Sequence, residues 1–203
     1  MFERAFMKFF KENAYEILRL YINQIGITIF SLMLYFSIGN FKNQDLALRL
    51  KIAISVFAML FYFALLYTAA WDNGAKDKIR VDAGKVKAKK YKGALMSVFA
   101  NVPNFILAGV CVITMTIYMS GAEGAISVSQ VFNLFLRMTN AMYLGLIQGI
   151  FVSFKNNADL YYLLESIGYL SLPLLAILST HIGYIMGHNN RKIFTSSKNR
   201  KNQ

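Results

Sequence analysis

The chain has 203 residues, of which 56% are hydrophobic and only 16% are charged, and its mean hydropathy is +0.42. A soluble domain has about 25% charged residues, so this composition argues against a water-soluble fold. A net charge of +12 would favour nucleic-acid binding in a soluble protein. Here the apolar residues form runs of about 20, long enough to cross a bilayer. Membrane topology therefore explains the basic residues better, and no nucleic-acid partner is expected.

The N-terminal segment, residues 1–16, has the pattern of an amphipathic helix. Phe2, Phe6, Phe9 and Phe10 recur at helical spacing, and charged residues occupy the positions between them. Such a helix is expected to lie in the headgroup layer on the cytoplasmic side. The first turn of an ordinary cytoplasmic helix before a span would show a similar pattern.

The next two apolar runs predict spans at residues 17–39 and 52–71. The first run is longer than the apolar core of a signal peptide, so it is expected to remain as an anchor. Trp71 lies where an interfacial aromatic side chain is expected, and the sequence Asp-Asn-Gly directly after it predicts a turn. Residues 72–93 are therefore expected to form a basic cytoplasmic loop.

A third span is predicted at residues 94–120, with a kink at Pro103. Residues 131–154 form an apolar stretch whose placement the sequence leaves open, and a final span is predicted at 167–187. The segment that follows, 188–203, is a polar tail rich in lysine and arginine. The predicted transmembrane domain thus covers residues 17–187.

The distribution of positive charge predicts the topology. Most of the 22 lysine and arginine residues lie in segments 1–19, 72–93 and 188–203, and the positive-inside rule places all three on the cytoplasmic side. Residues 131–154 must then enter the membrane and return to the same side, or lie flat on the membrane surface. We predict an all-α polytopic bundle of four spans plus one re-entrant or interfacial helix, in a plasma or bacterial inner membrane. The alternative is five spans with an external tail.

Four polar residues in segment 131–154 share one face of a continuous helix: Asn133, Arg137, Asn140 and Gln148. A charge at membrane depth costs ~2.5–3.5 kcal/mol on insertion scales, so Arg137 is a candidate for an ion, lipid-headgroup or anionic-substrate site. If the helix is interfacial instead, Arg137 simply extends into water.

A second candidate site is the start of the third span, where Asn101, Pro103 and Asn104 lie close together. Proline can leave backbone carbonyls free beside the amide side chains, as in the broken helices of transporters. A plain kink at headgroup level is the alternative.

Two glycine pairs match the small-xxx-small pattern, which allows helix backbones to approach closely. They are Gly145 with Gly149 and Gly183 with Gly187. The pattern favours packing within the chain, and contact with a partner membrane protein or a second copy, which would use the same physics, is the alternative.

A cluster of lysines precedes the third span and could bind anionic lipid headgroups. It comprises Lys85, Lys87, Lys89, Lys90 and Lys92. A topology signal alone would also explain the cluster.

Catalytic and metal-binding patterns do not emerge from the sequence. The acidic residues fall in links or at span edges, Glu165 among them, so no carboxylate is expected at mid-membrane. Cys111 is the only cysteine, and His181 and His188 are seven residues apart, too far for the usual pair of ligands. No metal, cofactor or enzymatic activity is expected.

Two functions remain for a membrane protein of this kind. The first is a non-enzymatic subunit or helper of a larger membrane assembly, which the short polar segments and the glycine motifs favour. The alternative is a small permease or channel for a neutral or anionic solute, which would use the face around Arg137 and the region of Asn101 and Asn104.

Overall fold

The computed structural model describes residues 2–39 and 41–191, with side chains from residue 6 onward. In this part of the chain seven α-helices occur and no strand, in agreement with the predicted all-α fold. The helices are α1 (Phe2–Ile38), α2 (Gln44–Asp82), α3 (Lys92–Met119), α4 (Ala125–Thr139), α5 (Ala141–Ile150), α6 (Ala158–Ser171) and α7 (Pro173–His188). The predicted tail from residue 192 onward lies outside the described residues.

Within the described part of the chain, four helical segments are long and apolar enough to cross a membrane: Phe6–Ile38, Gln44–Asp82, Lys92–Met119 and Ala158–His188. The last one consists of α6 and α7, joined at Leu172 with a helical backbone conformation. The predicted bundle of four spans with one shorter apolar helix is thereby confirmed.

The final span begins well before the predicted residue 167. Asn157 caps α6, because its side-chain oxygen accepts a hydrogen bond from the Leu160 backbone N–H at 3.1 Å. The polar residues that follow the cap therefore belong to the helix, and Glu165 lies inside the span instead of at its edge.

The turn predicted after Trp71 is wrong, since α2 continues to Asp82. Gly74 does not bend the chain; it lets α2 lie against the backbone of α7 at Tyr184 and His188, where a Cβ atom would collide. The basic segment is thus largely helical, and the loop between α2 and α3 is confined to residues 83–91.

A kink at Asn13 divides α1 into an amphipathic start and a spanning part. The Asn13 backbone leaves the helical region (φ −123°, ψ 18°), and its side-chain amide donates to the Phe9 carbonyl at 2.8 Å. Asn13 is buried, and this hydrogen bond gives its side-chain amide a partner. The change of direction falls close to the boundary predicted at residue 16.

Side-chain contacts define the directions of the helices. α1 is antiparallel to α2, because Arg19 lies 3.7 Å from Asp72 while the Tyr35 and Ser55 hydroxyls contact each other. α7 is parallel to α2, because the Ser179 hydroxyl donates to the carbonyl of residue 63 and the Trp71 indole donates to that of residue 191.

α3 is antiparallel to α7. Thr180 and Ser97 hydroxyls lie 3.2 Å apart, and Gly93, one turn earlier on α3, contacts Tyr184, one turn later on α7. The spans therefore alternate in direction. The start of α1, the 83–91 loop and the end of α7 all lie at one end of the bundle, which we call the basic end.

The helix pair α4 and α5 enters and leaves the bundle from the opposite end. α4 follows the end of α3 and runs back to Asn140, whose side chain contacts Asn104 near the middle of α3. Asn140 breaks the helix (φ −123°, ψ 32°), and α5 then carries Gly145 to the level of Tyr35 and Ser55. These contacts show that the pair enters the bundle and leaves it at the same end. It is therefore re-entrant, as the arrangement with four spans requires.

Cysteine accessibility tests this topology. In a Cys111→Ser background, Glu123→Cys and Asn156→Cys should react with an impermeant maleimide from the same side of the membrane. Ala88→Cys and Asn189→Cys should react from the other side. All four positions are exposed. Labelling of positions 123 and 156 from opposite sides would mean that α4 and α5 cross the membrane, which contradicts the re-entrant arrangement.

Candidate functional site

A chain of buried amide side chains runs through the middle of the bundle. The Gln24 amide donates to Asn140 at 3.5 Å, Asn140 donates to Asn104 at 3.1 Å, and Asn104 donates to Asn101 at 3.2 Å. Asn101 in turn donates to the Ser97 carbonyl at 2.9 Å. The four amides are at most 2% exposed. Their hydrogen bonds therefore connect α1, the α4–α5 break and α3 away from solvent.

Side chains of α1 and α2 bind backbone groups at the break and in the first half of α5. The Thr28 hydroxyl on α1 donates to the Thr139 carbonyl at 2.9 Å, which the end of α4 leaves without a helical partner. The Gly145 N–H of α5 donates to the Ser55 hydroxyl at 2.8 Å and to the Tyr35 hydroxyl at 3.1 Å. Backbone irregularity at this depth is tolerated only where such groups are satisfied by protein or water.

The two candidate polar sites of the sequence meet at this break. Asn101 and Asn104 join Asn140, and α3 runs as one helix through Pro103, so the candidate of a broken helix is not supported there. The interruption lies at Asn140 instead. Because Pro103 lacks only one backbone donor, the helix continues around it, whereas Asn140 adopts a non-helical conformation stabilised by its side-chain contacts.

The predicted polar face on segment 131–154 is divided by the same break. Asn133 and Arg137 belong to α4, Asn140 lies at the break, and Gln148 belongs to α5. Asn133 is 5% exposed, and its amide nitrogen has no hydrogen-bond partner among the described residues. Gln148 is half-buried and makes no hydrogen bond to the amide chain within the described residues.

Arg137 forms an ion pair that the sequence does not reveal. Its guanidinium donates to both carboxylate oxygens of Glu165 on α6, from Nε at 2.7 Å and from Nη2 at 2.5 Å. The Glu165 side chain is fully buried, that of Arg137 is 30% exposed, and the guanidinium lies 5.5 Å from the Tyr162 ring. The expectation that no carboxylate lies within the spans is wrong, because α6 begins before Glu165.

The glycine motifs are used for packing within the chain. A Cβ atom on Gly145 would collide with the Lys51 backbone, and one on Gly149 would press on Ile52. On α7, Gly183 and Gly187 lie against the α2 backbone at positions 67 and 71. These contacts support the intramolecular interpretation of both motifs.

The lysine cluster divides into two groups at the basic end. Lys92 is largely buried and binds Asp77 at 2.7 Å, and the Tyr184 hydroxyl donates to the same carboxylate oxygen at 2.9 Å. The other four lysines project from the loop. Lys89 lies 3.5 Å from Glu12, while Lys85, Lys87 and Lys90 are exposed and have no carboxylate partner in the described part of the chain.

Metal-binding groups do not gather in this site. Among residues 2–39 and 41–191, no three histidine, cysteine, aspartate or glutamate side chains come together as ligands. Comparison with protein families, curated proteins and solved structures finds no match for this chain. The polar centre around Asn140 and the basic end are therefore the features that bear on function.

Separating Arg137 from Glu165 should show how strongly the pair is coupled. Arg137→Leu should lower the free energy of unfolding by about 3–5 kcal/mol, because Glu165 stays buried without a partner. Arg137→Leu with Glu165→Leu should recover most of this loss, since no charge is left inside. Denaturant unfolding in detergent micelles measures both, with Lys155→Leu as the exposed control. A double variant as unstable as the single one would contradict the pairing.

The glycine contacts give a second stability test. Gly187→Ala should destabilise the protein by about 1–3 kcal/mol, because the new methyl group meets the Trp71 backbone. Gly109→Ala is the matched control, since nothing lies within 4 Å of a Cβ atom there, and its higher helix propensity should leave stability equal or slightly greater. Equal melting temperatures for the two variants would show that α2 and α7 are not in close contact.

Proposed function

We propose that this chain is a small permease for a neutral solute that forms hydrogen bonds, with the helix break at Asn140 as the solute site. The observation that carries this proposal is the chain of buried amides that meets a non-helical residue in the middle of a bundle of membrane-spanning length. Polar residues at membrane depth are costly and commonly mark solute pathways. Discontinuous helices at the midplane are the usual setting for such sites.

A neutral solute fits the electrostatics of the site better than an anion. The positive charge nearest the break, on Arg137, is neutralised by a bidentate contact with Glu165. What remains around Asn140 are amide donors and acceptors without net charge. The carbonyl oxygen of Gln24, whose amide nitrogen binds Asn140, is buried and has no protein partner among the described residues, so it is available to a polar guest. The Asn133 amide nitrogen, two helical turns before Asn140 on α4, is also buried without a partner among the described residues.

In this proposal the solute would reach the site between the break at Asn140 and α1. The break is tied to α1 by the Thr28 hydroxyl and by the long 3.5 Å hydrogen bond from Gln24. A solute that supplies the same hydrogen-bonding groups would replace these bonds. The free-energy cost of breaking them would therefore be small. Separation of α4 and α5 from α1 would then open a path to Asn140.

The proposed location is a plasma or bacterial inner membrane, with the basic end in the cytoplasm. The amphipathic segment 1–16, the region 72–93 and the tail 188–203 carry most of the positive charge and would all face the cytosol. In this orientation an impermeant maleimide should label Ala88→Cys only after cell permeabilisation. It should label Asn156→Cys in intact cells.

A role as helper of a larger assembly stays a prediction. The two glycine motifs that favoured a partner protein or a second copy face the chain's own helices, so no motif now points to a partner. Both functions are non-enzymatic, and solute flux separates them.

Osmotic measurements on proteoliposomes test the permease. Vesicles containing the protein should swell faster than protein-free vesicles in at least one osmolyte of zero net charge among glycerol, urea, glucose and the zwitterion glycine. Asn140→Leu should reduce the protein-dependent rate at least tenfold, because it removes hydrogen bonds in the amide chain. Gln148→Leu, which alters a polar residue outside that chain, should leave the rate unchanged. Protein-containing vesicles that match empty ones for every osmolyte would rule out this function.

A further inference from the structure

An open groove lies at the basic end, between the start of α1 and the start of α3. Its floor is aromatic and apolar, with the rings of Phe6 and Phe9 at 4.4 and 5.7 Å from that of Phe99. Leu95 completes the floor, and the groove has a volume of about 550 Å³. Lysine side chains form its rim: Lys8, Lys89, Lys90 and Lys92.

A second hollow continues this groove along α1 and α3. It has a volume of about 370 Å³ and shares Phe6 and Phe99 with the first. Its walls then reach Leu18, Tyr21 and Val102, and none of the described residues that line it is a lysine or an arginine. Together the two form one surface groove, with ammonium groups at one end and, among the residues with described side chains, apolar and aromatic walls at the other.

The rim has more positive charge than its own carboxylate can neutralise. Glu12 is the acidic residue in the groove, and it lies between Lys89 at 3.5 Å and Lys8 at 4.0 Å. Lys92 is held by Asp77, and Lys90 has no carboxylate partner in the described part of the chain. An anion at the rim would therefore be attracted by Lys90 and by the shared ammonium groups beside Glu12.

We propose that this groove holds one anionic glycerophospholipid, with its phosphate at Lys89 and Lys90 and an acyl chain in the apolar continuation. The change from lysines to apolar walls along the groove matches the order of headgroup and chain in such a lipid. The apolar walls are open outward: Phe6 is 47% exposed and Leu18 is 54% exposed. In a bilayer these walls face acyl chains, so a lipid can enter the groove sideways.

The groove lies where a lipid headgroup would be. It is built from the residues just before the spanning part of α1 and from the first turns of α3, at the end of the bundle that carries the loop lysines. A free phosphate would satisfy the lysines and leave the apolar continuation uncovered. A zwitterionic lipid would fill the apolar continuation, but the lysines of the rim would repel the positive charge of its headgroup. Only an anionic lipid satisfies both halves.

Binding to the full-length protein in dodecyl maltoside micelles tests this site. Phosphatidylglycerol should bind at least tenfold more tightly than phosphatidylcholine with the same chains, measured by thermophoresis or by the rise in melting temperature. Glycerol 3-phosphate, which has the headgroup charge without chains, and inorganic phosphate should neither bind at the same concentrations nor displace the lipid. Equal binding of the two lipids, or displacement by either small phosphate, would overturn the proposal.

Matched variants locate the site. Lys89→Ala with Lys90→Ala should weaken phosphatidylglycerol binding roughly tenfold, and Lys89→Arg with Lys90→Arg should restore it. Lys42→Ala with Arg49→Ala, which removes two exposed charges at the other end of the bundle, is the control and should change nothing. Circular dichroism verifies that each variant is folded. An equal loss in the control, or full binding by the folded alanine variant, would show that the lipid does not occupy this groove.

Discussion

In hydrocarbon a polar group has no water with which to form hydrogen bonds. The arrangement of this bundle therefore depends on the hydrogen bonds and ion pairs between its own polar side chains. Glu165 on α6 is fully buried, and its partner on α4 is Arg137. Asn140 can leave the helical conformation because Gln24 and Asn104 are in place to bind its amide. Each of these contacts joins different helices. Together they determine the depth and the sideways position of the re-entrant pair.

The second constraint is the distance between backbones. α2 and α7 lie parallel and touch through glycines on both sides: Gly74 on α2, and Gly183 and Gly187 on α7. Apolar side chains cannot drive helices together in lipid as they do in water, so close backbone packing supplies much of the attraction. This contact also keeps α2 helical beyond the point where its composition becomes polar. Asp77, on that extension, then reaches Lys92 and Tyr184 and ties the basic end together.

The number of spans and the small-residue packing could be predicted from the sequence, because each depends on a local pattern of length or spacing. For residues 131–154 the charge distribution favoured a segment that does not cross, but it left open whether that segment re-enters the bundle or lies flat. The partner of Arg137 could not, since Glu165 lies in a different helix, 28 residues away, and its polar neighbours resemble a link. A similar limit applies to Gly74. Because Gly74 directly follows Asp72 and Asn73, the sequence predicts a turn there. Only the tertiary contact with α7 shows that Gly74 is a packing residue within a helix. The break at Asn140 is likewise a tertiary effect, because asparagine alone does not end a helix.

α3 separates the two sites that are proposed for this protein. Ser97, Asn101 and Asn104 are spaced by four and three residues, so they lie on one face and meet the interior of the bundle. Leu95, Phe99 and Val102 follow the same spacing on the opposite face and line the lipid groove. The polar face is closed by neighbouring helices, whereas the apolar face is open to acyl chains. A lipid in the groove and a solute at Asn140 would thus contact opposite sides of the same helical turns, and variants at one site leave the side chains of the other untouched.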